Sequence, residues 1–166
     1  TFPVFLDLPL LTGEEVPHAP HVAVTAEPWP GTVGVWSSST DAGFELNRIV
    51  AAPAIIGVTE SPLAAAPPGL WDRGAPLRVR VAGGALSSAD ALAVLNGANV
   101  MAIGDGSSDN WEVLQFAKAD LVAPDTWDLS LRLRGQAGTD GIQPAQWPAG
   151  STVVLLDRSL QQIDLA

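Results

Sequence analysis

Cysteine is absent from the 166 residues, so disulfides, thiolate nucleophiles and cysteine-based zinc sites are excluded and stability must come from packing. That fits folding in a reducing cytoplasm. Positive charge is scarce: 8 basic against 18 acidic residues give a net charge of −10, which repels a phosphate backbone over a Debye length of roughly 8–10 Å. Nucleic acid is therefore not an expected partner. No uninterrupted apolar run approaches the ~18 residues of a membrane-spanning helix, and the opening residues 1–4 lack the basic stretch and apolar block of a signal peptide. Stable membrane insertion is not expected. Thr1 stands where an initiator Met would be, as expected of a piece excised or processed from a longer chain.

What the chain does have is apolar content and punctuation. Hydrophobic residues make up 47% and charged residues 16%, a balance too apolar for disorder, so a globular protein with a real core is expected. Fourteen prolines and 16 glycines divide it into short pieces, a spacing suited to strands and hostile to long helices. Candidate strands are residues 4–11, 21–26, 32–38, 44–50, 54–59, 77–81, 100–103, 111–116, 129–133 and 153–157. The clearest is 77–81, where Leu77, Val79 and Val81 alternate with Arg78 and Arg80. Arg132 and Arg134 alternate in the same way and look like one face of another strand. Turns are marked by residues 28–31 and by 41–43, the second followed by Phe44, Leu46 and Ile49 as apolar members of one face.

One short helix is expected near residues 88–96, with Ser87 and Asp90 at capping-box spacing, Leu92 and Leu95 on one face, and Gly97 as its C-terminal cap. The fold class is mainly β, with antiparallel sheets in a sandwich or barrel-like arrangement. The Pro-Ala stretch 64–69 offers an internal boundary between an N-terminal β segment, 1–65, and a β domain, 66–166, unless 1–166 is one domain.

The informative block lies between residues 85 and 138. It contains Trp111-Glu112-Val113-Leu114-Gln115-Phe116, followed by Leu133-Arg134-Gly135-Gln136-Ala137-Gly138-Thr139. With the opening Pro3-Val4-Phe5-Leu6-Asp7 and Trp29-Pro30-Gly31, this order resembles the tail-tip, host-specificity proteins of siphophages and the large baseplate protein of gene transfer agents. Ala137 and Asp140 depart from that pattern, which weakens any basic cluster at the turn. The residues also have a physical reading of their own. On a strand Phe116 enters the core while Gln115 pairs with backbone or solvent. Gly135 and Gly138 bracket a turn needing positive φ or close approach. Arg134 bonds carbonyls across that turn, holding two segments in register, and Thr139 completes the motif.

Catalytic constellations are not visible. His18 and His21 share a His-x-x-His spacing, but Pro17 and Pro20 prevent the helix that would align them on a metal. Asp105, Ser107, Asp109 and Glu112 suggest a calcium loop, yet Asn110 and Phe116 occupy the places of its required glycine and glutamate. Asp7, Glu14, Glu15, Glu27, Glu60 and Glu112 are the carboxylates available for glycoside hydrolysis, and no spacing singles out a pair. Of six tryptophans, Trp29, Trp71 and Trp147 stand beside turn residues and are candidates to stack on sugars, whereas Trp36, Trp111 and Trp127 are assigned to the core.

The sequence therefore points to a non-enzymatic structural and interaction domain with no cofactor and no metal. The resemblance implies a place at the tail tip of a phage-like particle assembled in the bacterial cytoplasm. Other tail or baseplate proteins, copies of itself in a trimer and the host cell surface would be its partners. The alternatives are a carbohydrate-binding module for host polysaccharide and a fragment of a cell-wall glycoside hydrolase.

Overall fold

The computed structural model describes residues 1–165. Strand accounts for 44% of the chain and helix for 5%, so the mainly β, antiparallel expectation holds. In chain order the elements are β1 (Phe2–Leu6), β2 (His21–Thr25), β3 (Val33–Ser37), β4 (Glu45–Val50), β5 (Ile56–Thr59), β6 (Leu63–Ala64), β7 (Trp71–Asp72) and β8 (Leu77–Ala82). They continue with α1 (Ala91–Leu95), β9 (Val100–Gly104), β10 (Trp111–Ala123), β11 (Thr126–Gln136), a 3-10 turn (Thr139–Ile142), β12 (Gln146–Trp147), β13 (Thr152–Leu155) and β14 (Gln161–Gln162).

Six strands close into an antiparallel barrel in the order β10-β9-β13-β5-β8-β11, with β11 returning to β10. Closure pairs every barrel strand on both sides and so removes exposed sheet edges from the wall. Its interior is filled by Leu77, Val79 and Val81 of β8, Met101 and Ile103 of β9, Leu114 and Phe116 of β10, Leu129 of β11 and Val153 of β13. The alternation foreseen for β8 is the one observed. Its valines point in, while Arg78 points out and forks onto Asp128 at 2.8 and 3.0 Å. Where β5 crosses β8 the wall is tight: a Cβ on Gly57 would lie 2.1 Å from the Arg80 carbonyl oxygen. Because β5 sits between β13 and β8, the barrel takes strands from both sides of residues 64–69, and the two segments expected to part there share one wall.

Two layers cover one side of the barrel. The sheet β1-β2-β14 lies first, with Val4, Leu6 and Ala23 packed on Ile56, Ala102, Trp111, Val113 and Val154 of the wall. The β3–β4 hairpin covers its other face through Val33, Val35 and Val50 on Val22 and Val24. Strand β2 is buried along its whole length for this reason.

Some elements differ from expectation. Strands β10 and β11 run on to a two-residue turn at Pro124-Asp125, well past the expected ends at 116 and 129. Proline presets φ at the first turn position and Asp125 takes φ +55°, so the pair makes a hairpin instead of a break. The helix is a single turn capped by the Asp90 side chain, which accepts the Ala93 N–H at 2.8 Å, not by Ser87. One turn can bury only one side chain deeply. That residue is Val94, while Leu92 and Leu95 face solvent.

Candidate functional site

The Leu133–Thr139 turn is the most elaborately held feature of the chain. Arg134 points into the end of the barrel from β11 and meets Glu112, which enters from β10 on the side of Leu114 and Phe116. Nε donates to Oε2 at 2.8 Å and Nη2 to Oε1 at 3.0 Å, a bidentate pair with neither side chain accessible to solvent. The Gly135 N–H donates to Glu112 Oε2 at 3.0 Å, and the Trp147 indole N–H to Oε1 at 2.8 Å. Four donors thus occupy the roughly four acceptor positions of one carboxylate.

The network continues outward. Arg134 Nη1 donates to the carbonyl of Ala64 and reaches Asp72 Oδ2 at 3.4 Å. Arg132 donates to the same Asp72 oxygen from Nε at 3.0 Å and Nη2 at 2.9 Å, and to the Leu129 carbonyl at 2.8 Å. Burial would raise the Asp72 carboxyl, but the Gly74 N–H and the guanidinium groups of Arg132 and Arg134 outweigh it and hold it below its ordinary value of 3.8. Two arginines and two carboxylates make the cluster neutral, a condition under which buried charge is tolerated. The β6–β12 ribbon, pairing Leu63 with Trp147, is tied to the cluster at both of its strands.

The turn itself follows from its glycines. Gly135 has φ +55°, and a Cβ there would lie 2.7–2.8 Å from Cβ and Cα of Asp140. Gly138 has φ +77° with open space around it, so conformation alone favours glycine. Thr139 fastens the turn back to β10, accepting the Val113 N–H at 2.9 Å and donating to the Gln136 carbonyl at 2.6 Å.

Of the expected motif residues, Gln115, Phe116, Arg134, Gly135, Gly138 and Thr139 therefore belong to one continuous piece of structure. Phe116 fills the barrel, and Gln115 donates to the carbonyls of Val94 and Ala98 at 2.6 and 2.9 Å, anchoring α1. Arg134 departs from expectation. It does not span its own turn but takes a carboxylate on β10 and a carbonyl on β6. Arg132 and Arg134 lie on strand β11, and both are buried, each neutralised by a facing acid. Glu112, Asp72 and Arg132 are the members that sequence reasoning missed as a site. The signal was a glutamate inside an otherwise apolar strand, Trp111-Glu112-Val113-Leu114, in a chain with few charges to spare.

Two tryptophans, Trp147 and Trp36, are placed differently from expectation. Trp147 is 3% exposed and hydrogen-bonded, so its ring has no face for a sugar. Trp71 packs with Val94 and Leu133, and Trp29 with Val22 and Val24. Trp36, assigned to the core, is 59% exposed. Alternation along β3 turns Val33 and Val35 inward and Gly34 and Trp36 outward, and a bulge in β4 at Asn47 sets Leu46 opposite the indole on the outer face of the hairpin. Trp111 is buried and Trp127 packs against the barrel core, as expected.

The calcium-like loop is closed on itself. Asp105 accepts from Asn110 Nδ2 at 2.9 Å and from the Ser107 N–H at 2.9 Å, contacts that lower its carboxyl to about 2, and Glu112 is committed elsewhere. His18 lies in an exposed turn and His21 on buried β2; among the described residues no group of three or more acidic, His or Cys side chains is placed to hold a metal.

A closed six-stranded antiparallel barrel with a neutral, internally hydrogen-bonded Arg–carboxylate cluster at one end defines a β-barrel domain. The sequence model of the family described as Rcc01698-like, C-terminal matches residues 54–154, and the chain belongs to that family. The match spans β5 through β13, which contains all six barrel strands and the cluster. No curated protein matches the chain.

Proposed function

We propose that this chain is a non-enzymatic structural and interaction domain at the tail tip of a phage-like particle, of the kind carried by gene transfer agents. Family membership supports the reading, since the family's name is associated with gene transfer agent proteins. The single observation that carries the non-enzymatic part is Glu112: the most deeply placed carboxylate has every acceptor position filled by the protein's own donors. Its work is to lock a turn to a wall. The partners proposed are other tail or baseplate proteins, further copies of the chain in a trimer, and the host surface. Deleting residues 54–154 from the particle's protein is expected to abolish tip assembly or attachment. Particles that assemble, attach and deliver DNA normally without them would sink the proposal.

A second reading is recognition of host polysaccharide, favoured by the exposed Trp36 indole beside the polar residues Ser37, Ser38 and Asn47. It expects saturable quenching of tryptophan fluorescence by host glycan that is lost in Trp36→Ala. An unchanged spectrum across a panel of host polysaccharides would remove it.

A further inference from the structure

Away from the barrel cluster, a cavity of about 350 Å³ opens between the loop after β1 and the segment joining β13 to β14. Its apolar wall is Leu11, Leu156 and Leu160, and its polar wall is Glu14, Glu15, Asp157 and His21. Three carboxylates therefore border a space with one imidazole at its side. The surrounding loop is tied down by Gln162, which accepts the Val16 N–H at 2.9 Å and donates to the carbonyls of Val16 and Ala19 at 2.7 and 3.0 Å.

The imidazole supplies an independent observation. His21 is 7% exposed and lines this cavity, yet its buried Nδ1 has no hydrogen-bond partner. A buried polar nitrogen left unmatched is uncommon and asks for a partner. Burial also pulls the imidazole below its ordinary value of 6.5, against the opposing charge of Glu15, and a neutral imidazole offers an acceptor. Glu15 is oriented from behind: the N–H groups of Thr12 and Gly13 donate to it, and these bonds with the Thr12 hydroxyl overcome burial and lower its carboxyl.

We propose that this cavity is a binding site for the basic side chain of a partner protein, an aliphatic stem against the leucines and a guanidinium or ammonium head among Glu14, Glu15 and Asp157 beside His21. The chemistry selects for such a group: acceptors on one side, apolar carbon on the other, and no cation lining the cavity. The chain's own charge agrees, since a net −10 surface attracts basic partners at long range. This inference does not depend on the particle reading, and it holds for the chain wherever it acts.

The test uses the intact chain and two small probes, N-acetyl-argininamide and the uncharged isostere N-acetyl-citrullinamide, followed by the His21 imidazole proton resonances in an NMR titration. A saturable shift with the arginine probe, at least about tenfold weaker with citrulline and weakened by added salt, is expected. Glu14 is exposed and bonds to its neighbours only through its backbone N–H, so Glu14→Lys should keep the fold while reducing affinity by about tenfold or more. A His21 shift of equal size with both probes, or a Glu14→Lys chain binding as tightly as the parent, would overturn the site. So would the absence of any saturable shift.

Discussion

The Arg134 guanidinium and the Glu112 carboxylate face each other across 2.8 and 3.0 Å with both side chains wholly buried, 22 positions apart in the chain. This pair ties β10 to the C-terminal end of β11 beside the register shift between Val113 and Gln115, and Trp147 and Gly135 complete its shell.

Removing one partner should hurt far more than removing both. Glu112→Leu or Arg134→Met leaves a charge buried without its partner, and either is expected to cost about 3–5 kcal/mol. The double replacement Glu112→Leu with Arg134→Met should cost clearly less than the two single losses added together. Urea midpoints of the four proteins test this, and strict additivity would contradict the coupling.

The two turn glycines should rank unequally. Gly138→Ala meets open space and carries only the left-handed backbone penalty, about 1 kcal/mol. Gly135→Ala carries that penalty and forces Asp140 away, so its loss should exceed that of Gly138→Ala by about 1–3 kcal/mol. Thermal unfolding of both variants decides the order.

Tryptophan accessibility is a direct check on which face of the β3–β4 hairpin is covered. Acrylamide should quench Trp36 most readily and leave Trp111 and Trp147 protected, so Trp36→Phe should remove the most accessible component of the quenching. Trp36→Ala should change stability little, within about 0.5 kcal/mol, whereas Trp147→Phe leaves Glu112 short of a donor and should cost about 1–3 kcal/mol.

Acid should weaken the fold in two stages with different owners. His21 in the folded chain titrates below its ordinary 6.5, so between the folded value and 6.5 the unfolded chain binds more protons and stability falls as the pH drops. His21→Gln should flatten that stage. Asp72 is also lowered, from 3.8, so its contribution is complete above that value and is lost as the pH falls through the folded one. Asp72→Asn should reduce the second stage and leave the first intact. Denaturant midpoints from pH 8 to pH 3 separate the two.

Much of the architecture was legible because it is written in local patterns. Alternation over residues 77–81 sets the inner and outer faces of β8, and the many prolines and glycines keep the segments short. The Gly135 and Gly138 turn and the inward Phe116 could be read for the same reason, since each depends on its own φ or its own strand face. Trp36 shows the limit: alternation with Val33 and Val35 sets its side of β3, but which side of the hairpin is covered is decided by the packing of those valines on β2.

By itself the sequence determined that the chain is β-rich, acidic, free of thiol chemistry and turned at particular glycines, because composition and short-range sterics act before any long-range contact forms. Only the tertiary structure decided that the strands close into a barrel, that Arg134 takes Glu112 and not its own turn, and that Trp147 is sealed while Trp36 faces out. Those outcomes depend on which distant segments neutralise and cover one another, and the energy of a buried charge or indole is set by the partner that reaches it.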